Sequence, residues 1–303
     1  MSAAAKRTAY VVIAVLAGVL FVVGSVYDLP AAQAVYRLND PAALAFSVAG
    51  VYLFFGSFEF LTGGLCRQLM HLAKSRTKRI LSVVICCYLG LSTAVLGAAA
   101  LTSDSVIGLL FPEVGFTFPH CVLVGLIGFY PLLFLGMLLN GRRGDPAAVR
   151  KLILLLGLMT LTFFAHLLLT CLWSRPRFRI TLLGYDGLGF LPWYRPLQNA
   201  ASYKTGYGLE GDALRSFFSG HALDAVLNLV ILPAFSLVLP KLQGKERLLQ
   251  WTALLLILPI AFSRMVLGAH YLSDVSAGSL CGLGYVLLYE LLAARIRPAS
   301  ETG

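Results

Sequence analysis

Three short polar stretches interrupt an otherwise apolar chain, and their residue types suit the handling of an oxyanion. The first is Ser263-Arg264, followed by His270 and Asp274. His270 and Asp274 are four apart, a spacing that puts two side chains on one face of a helix, within hydrogen-bonding reach. An aspartate on one imidazole nitrogen leaves the other basic and aimed. Arg264 adds a planar fork of donors that fits phosphate oxygens. The second stretch is Ser219-Gly220-His221, where an apolar run begins. A helix starting there presents free N–H groups and the positive end of its dipole to an anion. Ser219 can cap that helix or add a hydroxyl, Gly220 permits close approach, and His221 stands where it could protonate a leaving oxygen. The third is Arg175-Pro176, just past the end of another run. Alone, Ser-Gly-His is an ordinary helix cap. Together the three describe phosphoryl chemistry.

The elements that must position these residues are membrane helices. Of 303 residues, 58% are hydrophobic and 13% charged, against about 25% charged in soluble domains. Apolar runs cover 8–26, 42–63, 80–101, 117–140, 151–173, 221–239, 248–267 and 270–294, each near the ~20 residues a helix needs to cross a bilayer. The fold expected is all-α, a polytopic bundle of about eight transmembrane helices. The net charge of +10 sits in short connections, as in cytoplasmic loops, not on a basic folded surface, so a nucleic-acid partner is not expected. Lys6-Arg7 and Ala32-Gln33-Ala34 outline a secretory signal, but the long apolar run favours an uncleaved helix.

Sidedness follows from the lysines and arginines. With both termini cytoplasmic, most of the 24 fall on the inner side. The exceptions are Arg37, Arg175, Arg177, Arg179, Arg195, Lys204, Arg215 and Arg264. All but Arg37 lie in the loop 174–220 or in the Arg264–Asp274 stretch. The ends of the fifth and seventh runs and the starts of the sixth and eighth therefore bring all the polar stretches to one outer face. The chain divides into N-terminal helices (1–145) and a catalytic bundle (146–297) carrying the outer loop 174–220. The six cysteines lack metal-ligand spacing and read as small packing residues. His166, Glu59 and Glu290 read as interior or interfacial residues. Asp224 and Asn228 continue a polar stripe from His221 along one helix face: either Asp224 orients or tunes His221, or the stripe lines a headgroup pocket, or it bonds between helices.

At this point the residues resemble a family, the type 2 phosphatidic acid phosphatases or lipid phosphate phosphatases, which share a core with vanadium haloperoxidases. The family pattern is Lys-x6-Arg-Pro, then Pro-Ser-Gly-His, then Ser-Arg-x5-His-x3-Asp. The third motif is complete as Ser263-Arg264, His270 and Asp274; the second reads Phe218-Ser219-Gly220-His221; the first keeps Arg175-Pro176 but has Leu168 in place of lysine. The resemblance covers about 150–294 and implies a six-helix-type phosphatase core. It implies His270 as the nucleophile of a phosphohistidine, Asp274 as its orienting group and His221 as the acid. Arg175, Arg264, Ser219 and the Gly220 amide would bind the non-bridging oxygens, with no metal and no cofactor. Arg177 or Arg215 is the favoured substitute for the absent lysine, with Arg179 and Lys204 further options.

The function expected is an integral membrane lipid phosphatase, its site facing the periplasm or exterior, acting on a phosphorylated lipid among the membrane lipids. Two alternatives remain open. One is a phosphotransferase serving a lipid or sugar acceptor. The other is a non-catalytic lipid-binding or transport protein.

Overall fold

A long apolar segment in lipid satisfies its own backbone only as a helix, and the apolar runs fold accordingly. The computed structural model describes residues 3–103, 106–111, 114–141, 144–209 and 211–296; Arg142, Arg143 and Arg297 of the inner-side cations lie outside the described residues. Its helices are α1 (Ala3–Val35), α2 (Pro41–Val51), α3 (Ser57–Leu72), α4 (Arg76–Leu101), α5 (Phe118–Gly128), α6 (Tyr130–Leu139), α7 (Pro146–Trp173), α8 (Phe178–Thr181), α9 (Ala200–Tyr207), α10 (Gly220–Ala234), α11 (Glu246–Val266) and α12 (Leu272–Ala293). Helices α2 and α3 join through a π-helical turn at Tyr52–Gly56 into one span, and α5 and α6 form another. Eight segments among the described residues are long and apolar enough to cross a membrane, which matches the eight runs. No strand occurs among those residues, only one isolated parallel bridge between Arg175 and Arg215.

Helix caps fix where the spans begin. Asp40, Ser75, Asp145 and Ser219 each accept a backbone N–H from the first turn of the helix they precede. Small residues then set how closely helices approach. A side chain at Gly63 would run into the Leu133 carbonyl, and one at Gly136 into the Phe60 carbonyl, so α3 and α6 meet backbone to backbone. The apolar faces left over, such as Val11, Val15 and Val22 on α1 and Leu255 and Leu258 on α11, point outward, where lipid replaces water.

One buried apolar cluster runs through both halves of the chain, from Tyr10 and Phe54 through Phe129 and Leu155 to Leu227 and Tyr289. The first helix packs along the last, and α2 packs against α11. Helix α1 kinks at Tyr27 (φ −114°, ψ 17°), three residues before Pro30, whose ring removes one backbone hydrogen bond and crowds the preceding turn. Asp28 follows the kink and is only 2% exposed.

Candidate active site

The site is assembled where the loop 174–220 meets the ends of four helices. Helix α11 stops at Val266 because Gly268 adopts φ +63°, a left-handed turn that glycine enters at little cost. The turn is closed by the Ala269 and His270 amides, which donate to the Arg264 carbonyl at 3.0 and 3.1 Å. His270 therefore precedes α12, and the shared-helix-face reading of His270 and Asp274 needs correction. Asp274 is the third residue of α12. Its Oδ2 accepts the Tyr271 N–H at 2.8 Å and caps that helix.

The correction changes what orients the imidazole. Asp274 Oδ2 lies 3.8 Å from His270 Nδ1, beyond hydrogen-bonding distance. Nδ1 instead meets the Ser216 carbonyl at 2.6 Å. A carbonyl can only accept, so Nδ1 carries the proton, and in the neutral ring Nε2 keeps its lone pair. Burial first, then the Arg177 and Arg264 guanidiniums, hold His270 well below its ordinary value, so the ring is neutral at physiological pH. Asp274 acts one step back, accepting from the Ser216 hydroxyl at 2.5 Å.

The second stretch forms the helix start that the sequence implies. Ser219 caps α10, its Oγ accepting the Ala222 N–H at 3.4 Å, and its own N–H donates to the Asp274 carbonyl at 3.0 Å. Gly220 lies under the His166 ring; an added Cβ would sit 2.8 Å from His166 Cε1. His166, read as an interior histidine, is thus a wall of the α10 start, and its Nε2 meets the Phe218 carbonyl at 2.9 Å. His221 packs on Gly50 of α2, and its buried Nε2 has no hydrogen-bond partner among the described residues. Asp224, half-buried one turn on, makes no bond to that nitrogen; its backbone carbonyl accepts from Asn228 at 3.0 Å.

The arginines separate into two groups. Arg175 is fully buried among protein acceptors: Leu191 O on Nε (2.8 Å), Ser273 Oγ and Asp274 Oδ1 on Nη1 (3.0 and 2.5 Å), and Asp28 Oδ2 on Nη2 (2.8 Å). Its guanidinium stacks 4.0 Å from the Tyr271 ring centre. Burial opposes its charge, but Asp274 and Asp28 outweigh burial and raise it above its ordinary value. The other group is Arg177 and Arg264. Buried Arg264 donates to Ser47 of α2. Arg177 binds Asp212 through Nε (2.7 Å, to the carbonyl) and Nη2 (3.2 Å, to Oδ2), while its buried Nη1 has no partner among the described residues. Arg177 lies within electrostatic range of His166, His221, Arg264 and His270.

Leu168, at the position of the absent lysine, is 60% exposed and turned out of the bundle. Arg215, half-buried, donates to the Gly211 carbonyl at 2.6 Å. With Arg179, Asp212, Tyr36 and Phe111 it lines a cavity of about 720 Å³. Among the described residues, no group of three His, Cys, Asp or Glu side chains is placed to hold a metal.

Sequence reasoning missed Asp28 and Ser47, which reach the motif arginines from α1 and α2. A lone aspartate at the edge of an apolar run was the available signal for Asp28; Ser47 gave none. It also assigned no role to Ser216, whose carbonyl and hydroxyl link His270 to Asp274.

Comparison with known proteins adds one finding. Residues 150–297 match the sequence model of the PAP2 superfamily. No curated protein and no solved structure matches the chain.

Proposed function

We propose that this chain, a PAP2-superfamily member through residues 150–297 and so akin to proteins that are generally phosphatases, removes phosphate from a lipid phosphomonoester or pyrophosphate by way of a phosphohistidine on His270. The observation that carries this reading is the Ser216 carbonyl on His270 Nδ1, which leaves the Nε2 lone pair free beside Arg177 and Arg264. Nε2 attacks phosphorus, the P–O bond to the lipid breaks, and His221 gives a proton to the departing oxygen. Water then attacks the phosphohistidine, His221 takes its proton, and the N–P electron pair returns to Nε2. Arg264, Arg177 and the start of α10 with Ser219 and Gly220 bind the non-bridging oxygens and stabilise their charge in the transition state. These arginines supply the positive charge, so EDTA leaves the rate unchanged. The site faces the periplasm or exterior, opposite the cationic inner loops. In a single-cysteine variant keeping exposed Cys171, a membrane-impermeant maleimide reacts from that outer side.

The test is phosphate release from a panel of lipid phosphates by purified protein in nanodiscs. Wild type releases phosphate and traps label on His270, whereas His270→Ala loses about 10⁴-fold or more in rate. No release and no labelled transfer product from any substrate would count against the enzyme. The 720 Å³ cavity lined by Arg179, Arg215 and Asp212, the partner of Arg177, favours one second reading, a phosphotransferase whose acceptor occupies it. That reading expects a labelled lipid or sugar product in place of free phosphate.

A further inference from the structure

The network around Arg175 starts outside the segment that matches the family. We propose that Asp28, on the first helix, is a positioning residue for the His270 nucleophile, acting through Arg175 and Ser273; this rests on the phosphatase reading above. Both oxygens of Asp28 are engaged: Oδ1 accepts the Ser273 N–H at 2.8 Å, and Oδ2 accepts from Arg175 Nη2 at 2.8 Å and from the Ser273 hydroxyl. Arg175 passes the connection to Asp274 Oδ1, Asp274 Oδ2 to the Ser216 hydroxyl, and the Ser216 carbonyl to His270 Nδ1. The Arg175 carbonyl also accepts the Ser216 N–H at 3.0 Å, so the loop carrying that carbonyl is tied to Arg175 twice.

The first helix can reach this turn only because residue 24 is glycine. A Cβ at Gly24 would stand 2.5 Å from the Ser273 backbone nitrogen, too close for anything but a displacement of α1. Every guanidinium nitrogen of Arg175 is bonded to protein. Arg175 therefore fixes the base of the site, and phosphate binding falls to Arg177, Arg264 and the start of α10. A plain helix–helix tie predicts lost stability alone. A positioning role predicts lost turnover with substrate binding kept, because a nucleophile displaced by about 1 Å costs on the order of 100-fold.

The experiment uses the full chain in phosphatidylglycerol nanodiscs with phosphatidic acid as probe. Asp28→Asn lowers kcat about 10- to 100-fold with KM within about twofold, and Asp28→Glu recovers part of the loss. In an Arg175→Gln background the same Asp28→Asn change costs under about twofold, because the two act in series. Gly24→Ala keeps every polar group and shows the same kcat loss, which covers the case in which Asp28→Asn does not fold. A loss carried by KM, a full multiplicative loss in the double variant, or wild-type kcat in Gly24→Ala overturns the inference. If wild type releases no phosphate from any lipid, the phosphatase reading fails, and the diethylpyrocarbonate modification rate of His270, read by mass spectrometry, decides the positioning role. A rise of about fivefold or more in Asp28→Asn and Gly24→Ala supports it, reflecting a turn that opens more readily; an unchanged rate overturns it.

Discussion

Arg175 and Arg177 stand two residues apart, and the structure treats them in opposite ways. Around Arg175 each donor nitrogen has a protein acceptor, two carboxylates balance the charge and an aromatic ring covers the guanidinium face. Around Arg177, among the described residues, one carboxylate is present, Nη1 is buried without a partner, and the nearby His221 Nε2 is also unmatched. A buried donor left without an acceptor is costly, and such groups gather where a ligand completes them. The contrast separates a region whose donors are met by protein from one with a buried donor left over. On the proposed function, that contrast favours Arg177 over Arg175, the residue the motif points to first, as a phosphate ligand.

The largest expected effect tests the region around Arg175. Arg175→Met leaves Asp28 and Asp274 facing each other without a cation, and breaking a buried pair in this way costs about 3–5 kcal/mol. Denaturation in mixed micelles measures it. A loss under about 1 kcal/mol would put Arg175 in the exposed-pair class and erase the contrast.

The region around Arg177 should show the reverse pattern. Arg177→Gln lowers kcat/KM about 10²- to 10³-fold, as removal of a transition-state donor does, while stability falls by less than in Arg175→Met, because Arg177 gives up one carboxylate partner and Arg175 two. If Arg177→Gln unfolds the protein and Arg175→Met only slows it, the assignments are exchanged.

How far the sequence reached differs between these regions for physical reasons. The eight spans were legible because bilayer thickness sets a length and lipid excludes charge; the Ser219 cap was legible because helix starts use few residue types. The His270–Asp274 spacing misled. Helical periodicity assumes that both residues lie within the helix, whereas the Gly268 turn keeps His270 outside it and Asp274 caps the Tyr271 amide. Asp28 and Arg175 are 147 residues apart, and no local pattern reports so distant a contact. Arg177 and Arg215 are the two favoured stand-ins for the lysine, and the sequence does not separate them; in the fold Arg177 is buried beside Asp212, whereas Arg215 lines the cavity.

The electrostatic side of the comparison appears in pH dependence. Burial, then Arg177 and Arg264, depress His270. On the proposed mechanism the free protein therefore keeps His270 neutral as pH falls, and the acid limb of kcat/KM is expected below the ordinary imidazole value of 6.5. Stability has its own sign. As pH falls through 6.5 the unfolded chain takes up a proton that the folded chain refuses, so His270's contribution is present above that pH and is lost below it, down to the depressed folded value. In Arg177→Gln the acid limb moves up part of the way toward 6.5, since burial remains. A limb that stays in place would show that Arg177 does not act on His270.

The smallest effect is expected where the family pattern is broken. Leu168 is 60% exposed on α7, while His166 two residues earlier turns inward against Gly220. Those two positions lie on different faces of the helix, so a lysine at 168 would point away from the arginines. Near the helix end its ammonium can reach the interface along its own stem. Leu168→Lys should therefore fold and leave kcat/KM within about twofold of wild type, well under the 10²-fold scale of a phosphate-site cation. A tenfold gain would mean that the site lacks a cation that Arg177 does not supply, and the contrast between the two arginines would have to be redrawn around residue 168.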